Sequence, residues 1–444
     1  MARQMKDSGI PYLGPVPASW GVQKLRYSVK WKSEKGYPDA EVLALYRDYG
    51  VIPKSSRDDN YNVTSLDTGA YKYVEIGDFV INKMKAWQGS MGVSSYSGII
   101  SPAYHVCSIT NDDIHRPYFH YLLRNVAYLP EFARLSTGLR IGQWDLSFDD
   151  FRNLPFLLPD KSEQECIANH LDTKCAEIDK VVEQTRATIE EYKKLKQAII
   201  TEAVTKGLDS SVPMKDSGVE YLGCIPRGWS IISIGQAFVY VGGFAFKSEL
   251  FTITESNYQV LRIGNVKNNN LILDNKQIYI DESCAETAKV AEVRTDDILF
   301  TMTGTKGKRD YFYTVRIEDG HIAEKRLFIN QRVGLFRKKN KKIKMAFANY
   351  LLKEKRILDY IFLSETGTAN QGNLGIETIA RTKLYLPPLE EQEEICLYLD
   401  AKCAEIDRII EKKEQLIEEL GSYKKSLIYE YVTGKKEIEI HKYS

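Results

Sequence analysis

From Ile167 onward, apolar residues return at intervals of three and four or their sum: Ile167, Leu171, Cys175, Ile178, Val182, Ile189, Tyr192 and Ile199. The rhythm repeats at Ile395, Leu399, Cys403, Ile406, Ile410, Ile417, Leu420 and Leu427. This spacing puts the apolar positions on one heptad-like stripe of a helix, with polar residues on the other faces. No proline and few glycines interrupt either stretch, so each predicts one helix. At 1.5 Å rise per residue, about 45 residues make a rod of roughly 65 to 70 Å, far longer than an ordinary globular helix. Each stripe needs a partner. The simplest closed arrangement pairs the two helices antiparallel about a pseudo-two-fold axis. Gly421-Ser422 stands in the second stretch where the first has Lys193-Lys194, and a helical glycine costs about 1 kcal/mol relative to alanine. The pattern there predicts a local kink at most.

Ahead of each helix the chain follows one plan written twice. Met5-Lys-Asp-Ser-Gly-Ile-Pro-Tyr-Leu-Gly14 returns as Met214-Lys-Asp-Ser-Gly-Val-Glu-Tyr-Leu-Gly223, and both run into Pro-x-x-Trp, at Pro17–Trp20 and Pro226–Trp229. Inside the helices, Leu171-Asp-Thr-Lys-Cys-Ala-Glu-Ile-Asp179 returns as Leu399-Asp-Ala-Lys-Cys-Ala-Glu-Ile-Asp407. Between these markers the halves diverge while the order of elements holds. Strand-like Gly77–Asn82 corresponds to Thr295–Phe300, helical Tyr121-Leu-Leu-Arg124 to Tyr350-Leu-Leu-Lys353, and Ser136-Thr-Gly138 to Glu365-Thr-Gly367. Short apolar strands ending in proline, Phe156–Pro159 and Leu384–Pro387, close both halves. The expected fold is α+β: two globular domains, residues 1–160 and 209–388, separated by two long antiparallel coiled-coil helices, 161–208 and 389–434, with a tail at 435–444. Constant ends around variable middles suit a protein whose halves do the same work on different targets.

Composition leaves this picture intact and narrows the class. The 444 residues suffice for two or three domains with cores of their own, and 43% hydrophobic with 27% charged residues is an ordinary globular profile. No apolar run reaches the roughly 20 residues needed to span a bilayer, and Met1–Asp7 lacks the apolar core of a secretory signal, which predicts a cytoplasmic protein without membrane contact. Seven scattered cysteines with no C-x-x-C spacing predict reduced core thiols and neither disulfides nor zinc. The net charge of +1 hides an uneven distribution: the two helical stretches together carry about −7, which leaves about +8 elsewhere. That surplus permits nucleic-acid binding.

Catalytic signatures fail on inspection. Thr303-Gly-Thr-Lys-Gly-Lys-Arg309 resembles a phosphate loop, yet its glycines are three apart and no Ser or Thr follows Lys308. Val241-Gly-Gly-Phe244 is not a dinucleotide fingerprint. Pro159-Asp160 with Glu191-Tyr-Lys193 imitates a nuclease carboxylate set, but Glu191 falls on the solvated face of a predicted rod. No histidine pair has metal-ligand spacing.

The doubled Met-Lys-Asp-Ser-Gly start, the Pro-x-x-Trp, the Glu-Gln-Glu runs at Glu163–Glu165 and Glu391–Glu393, and the repeated Leu-Asp-x-Lys-Cys-Ala-Glu-Ile-Asp resemble the specificity subunit of type I restriction-modification systems. The likeness spans the chain and weakens in the variable middles. It implies two target-recognition domains, each reading one half of a bipartite double-stranded DNA site, and conserved helices that set the spacer and dock two modification (methyltransferase) subunits, with restriction (translocase and endonuclease) subunits in the full enzyme. The chain itself is then non-catalytic and without cofactor, S-adenosylmethionine and ATP belonging to the partners. A different reading is a non-catalytic coiled-coil adaptor that scaffolds protein partners. Salt-sensitive DNA retention separates the two, because phosphate contacts release counterions.

A DNA reader combines cations for phosphates with groups that reach base edges. In the first domain the candidates are Lys83, Lys85, Trp87 and Gln88, which follow a strand, and Thr137, Arg140 and Gln143, with Arg140 and Gln143 suited to bidentate contacts on guanine and adenine. In the second they are Lys247, Lys306, Lys308, Arg309, Gln331, Arg332, Thr368, Asn370 and Gln371. Thr-Gly followed by polar residues recurs at the matching place of both halves, and glycine there lets the backbone approach phosphates closely. For any one residue the plain alternative is a core tryptophan or a solvated lysine.

Overall fold

The computed structural model describes residues 3–47, 49–57, 68–138, 144–368 and 371–438. The chain divides into two compact units, Met1–Ala187 with Lys413–Ser444, and Thr188–Lys412. Each long helix therefore contributes to both.

At the centre of the first unit is a four-stranded antiparallel sheet in the order Val29–Lys32, Tyr104–Ile109, Phe79–Asn82, Met91–Val93. Side chains alternate across a strand, and here both faces are covered. Phe79, Ile81 and Cys107 enter the core shared with the helices, while Val80 and Val106 pack with Leu43, Leu45, Val51, Val74 and Ile100 on the other face. That double burial explains why Phe79-Val-Ile reads as an unbroken apolar run. The second unit has the same order and polarity: Phe238–Gly242, Val333–Lys338, Ile298–Thr301, Thr314–Arg316. Ile298, Phe300 and Phe336 face the helix side and Leu299, Leu335 and Val315 the other.

The structure moves the sequence correspondence of these strands by one residue. Asp78 and Asp297 are equivalent: each accepts from the backbone N–H three residues earlier, at 2.8 and 2.9 Å. Each is also buried against a cation, Lys32 from two strands away at 3.2 Å for Asp78 and Arg337 from the adjacent strand at 2.6 Å for Asp297. Divergence lies on the far face. The first unit adds the hairpin Leu43–Tyr46 with Gly50–Pro53, the second a parallel pair, Tyr258–Leu261 with Arg326–Ile329.

The constant ends build the junction of each domain with its helices. Gly21–Lys24 pairs with Pro155–Leu158, and Ser230–Ser233 with Lys383–Leu386. The buried Trp20 indole donates to Glu163 at 2.9 Å, and the buried Trp229 indole to Glu391 at the same distance. Beside these carboxylates, Gln164 accepts from the His115 N–H and Gln392 from the Lys344 N–H. Tyr121 and Tyr350 donate to Asp172 and Asp400, each at 2.6 Å.

The helices span Lys161–Lys206 and Leu389–Val432, the second running without interruption through Gly421. Within the first unit His170 lies against Tyr431 and Asp179 against Lys424, so numbers rise along one helix as they fall along the other. In the second unit Lys196 meets Asp407 while Gly207 lies beside Glu391. Packing is antiparallel in both. The stripe is most buried where it enters a core, at Ile167, Leu171 and Leu427 and at Ile395 and Leu399, and half-buried at Val182, Tyr192, Ile410 and Ile417. Among the described residues no helix is long and apolar enough to cross a membrane.

Candidate nucleic-acid interface

In both units one end of the central sheet carries the loops that hold the candidate residues. In the first unit the strand Phe79–Asn82 runs straight into the turn Lys83–Gln88, which the Asn82 side chain caps by accepting from the Met84 N–H at 3.2 Å. Gly89, with φ of +80°, ends the turn in the left-handed region. Two short strands, Ser136–Thr137 and Asp145–Leu146, pack on this turn, with Thr137 opposite Asp145. Lys83 pairs with Asp145 at 3.2 Å. Trp87 and Trp144 meet edge to face with centroids 5.3 Å apart, both rings half-buried. Lys85 and Thr137 are exposed and Gln88 is half-buried. Arg140 and Gln143 lie outside the described residues.

Behind this surface His105 binds the Leu146 carbonyl at 3.0 Å, and burial holds its ring below the usual imidazole range, so it stays neutral near pH 7. Lys72 donates to the Tyr104 carbonyl at 2.6 Å, and burial lowers its ammonium.

The second unit gathers more segments at the equivalent end. The Phe244 N–H donates to Ile329, the Gln331 N–H to Phe244, and the Met302 N–H to Arg332, which brings Phe244, 330–332 and Met302 side by side. Past Thr301 the chain forms Thr303–Gly304, which pairs with Gln371–Asn373, itself paired with Thr366–Thr368. Lys306 donates to the Gly367 carbonyl at 3.0 Å. Lys247, Lys308, Gln331, Arg332, Thr368 and Gln371 are exposed. Arg309 is engaged as well: it pairs with Asp359 and lies over the Phe362 ring at 5.5 Å. Asn370 lies outside the described residues.

Two acids outside the candidate set order these loops: Asp145, which pairs with Lys83, and Glu365, which accepts from the Gly307 N–H and the Tyr311 hydroxyl. In sequence Asp145 only follows Trp144 and Glu365 only precedes the Thr-Gly pair, and neither position discloses its partner. Exposed lysines, amides and hydroxyls on paired loops offer phosphate contacts and hydrogen bonds to base edges. Among the described residues no three His, Cys, Asp or Glu gather as a metal site.

Two segments, 29–191 and 226–419, match the family model described as the type I restriction modification DNA specificity domain. A protein of Methanocaldococcus jannaschii named as the MjaX type I restriction enzyme specificity subunit is 23% identical over 445 residues, covering 95% of both chains. The type I restriction enzyme StySPI specificity subunit of Salmonella potsdam is 24% identical over 323 residues, covering 71% of this chain and 65% of that one. A solved structure titled for complex assembly and conformational transition of the type I R-M system shares the fold, with a TM-score of 0.68 at 13% identity over 95% of this chain and 99% of the other.

Proposed function

The chain belongs to the type I restriction modification DNA specificity family, and from that membership we propose that each compact unit reads one half of a bipartite double-stranded DNA target. The family is a non-catalytic one, so the chain supplies the address for chemistry done elsewhere. The observation that carries the reading is the contrast within the repeat. Strand order, the Trp–Glu contact and the helix packing are the same in both units, while the loops at the sheet ends differ. A reader of two unlike half-sites needs this combination. In the assembled enzyme two modification subunits bring S-adenosylmethionine, restriction subunits bring ATP-driven translocation and cleavage, and the long helices fix the spacer and dock the methyltransferases.

The test is DNA retention by the chain assembled with its methyltransferase subunits. Binding that prefers one bipartite sequence and weakens steeply with salt supports the reading, since neutralised phosphates release counterions. Sequence-blind, salt-indifferent retention would leave a protein scaffold as the better description.

A further inference from the structure

Glu365 stands where the loop Thr303–Arg309 meets the paired strands Thr366–Thr368 and Gln371–Asn373, and its carboxylate ties the two together. Both oxygens accept from the Gly307 N–H, at 3.0 and 3.2 Å, and one accepts the Tyr311 hydroxyl at 2.8 Å. The approach is close because the strand pair offers glycine: a Cβ on Gly372 would lie 2.6 Å from the Glu365 carboxylate and 3.1 Å from the Lys306 backbone. Lys306 closes the tie from the other side by donating to Gly367. The loop itself turns through left-handed conformations at Gly307, Arg309 and Phe312, with φ of +77°, +52° and +60°. Arginine and phenylalanine adopt such backbone only when their surroundings hold them there.

The equivalent position of the first unit is Ser136, whose buried hydroxyl has no partner among the described residues, and the tie there is the Lys83–Asp145 pair. The two units thus fix loop to strand pair by different chemistry, and Glu365 belongs to the second alone.

Resting on the chain's reading as a DNA specificity subunit, we propose that Glu365 is a positioning residue for the second half-site. It makes no contact with DNA. It holds the loop on the strand pair so that Lys306, Lys308, Thr368 and Gln371 meet the duplex as one preformed surface, with the cost of ordering the loop met before binding. Without the tie, the competent loop is one conformation among several, and affinity for the correct half-site falls by its fractional population.

The experiment compares wild type, Glu365→Ala and Glu365→Gln, each assembled with the methyltransferase subunits. Methylation is measured on the cognate duplex, on one altered in the first half-site and on one altered in the second. Loss of a charged acceptor predicts that Glu365→Ala lowers discrimination at the second half-site by about tenfold or more. Glu365→Gln, which keeps one acceptor, falls between, and discrimination at the first half-site stays as in wild type. Unchanged discrimination in both variants overturns the proposal. So does equal loss at both half-sites, which marks a general folding role, and so does faster methylation of every duplex, which marks Glu365 as a repelling charge. A wild-type complex indifferent to sequence would overturn the underlying reading instead, so the two failures are distinguishable.

Discussion

Lys424 donates to both carboxylate oxygens of Asp179, each at 2.7 Å. The same contact recurs in the other unit, where Lys196 reaches Asp407 at 2.7 and 2.6 Å. Asp179 and Asp407 close the two copies of one nine-residue segment, so the repeat in sequence is a repeat in helix pairing. Lys424 and Lys196 are partly covered, whereas both aspartates stand well out in solvent. Exposed pairs contribute about 0 to 1 kcal/mol. A double-mutant cycle of Lys424→Ala with Asp179→Ala should give a coupling energy below about 1 kcal/mol that shrinks with added salt. A larger, salt-insensitive coupling would mean the pair is shielded from water.

Two glycines near the end of the second helix should respond in opposite directions. A Cβ on Gly421 meets nothing within 4 Å, so Gly421→Ala should stabilise the chain by up to about 1 kcal/mol through helix propensity. Gly434 has φ of +69°, and a Cβ there would lie 2.4 Å from Pro17 Cγ. Gly434→Ala should therefore cost more than about 1 kcal/mol and loosen the packing around Trp20. Thermal unfolding of both variants, followed by tryptophan fluorescence, checks the pair.

Lys353 predicts a pH dependence. Burial, with the charge of Lys196 adding to it, pushes its ammonium down to about 8. Between that value and the ~10.4 of an unfolded lysine, the unfolded chain holds a proton that the folded chain has released. Stability should rise with pH across this window, and the penalty is fully present below it. Lys353→Met should raise the melting temperature at pH 7 and lose most of that advantage by pH 10. An equal gain at both values would point to packing in place of charge.

How much was legible in the sequence depended on whether the signal was local. The heptad stripe from Ile167 and its repeat from Ile395 mark the helices because burial on one face imposes its period on neighbouring residues. The Pro-x-x-Trp copies likewise marked the buried Trp20 and Trp229. Partners distant in sequence left no such trace. Nothing around Glu365 announces that it caps the Gly307 N–H, since a hydrogen bond across 58 residues constrains each end to be polar and no more. The parallel pairing of Tyr258–Leu261 with Arg326–Ile329 was equally hidden, because an apolar strand is compatible with many neighbours. Among the candidates, Lys83 and Arg309 look alike as cations in sequence, and only the fold reveals that each is already held by a carboxylate.

If each unit reads its own half-site, the two should be exchangeable one at a time. The decisive exchange replaces roughly residues 21–153, between the constant Trp20 and the closing strand at Pro155–Leu158, with the matching region of a relative of different specificity. Methylated sites are then mapped in cells carrying the chimaera and its methyltransferase partner. One half-site should change to the relative's while the other half-site and the spacer stay as they were. A change in both half-sites together, or in neither, would mean that the two units do not read DNA independently.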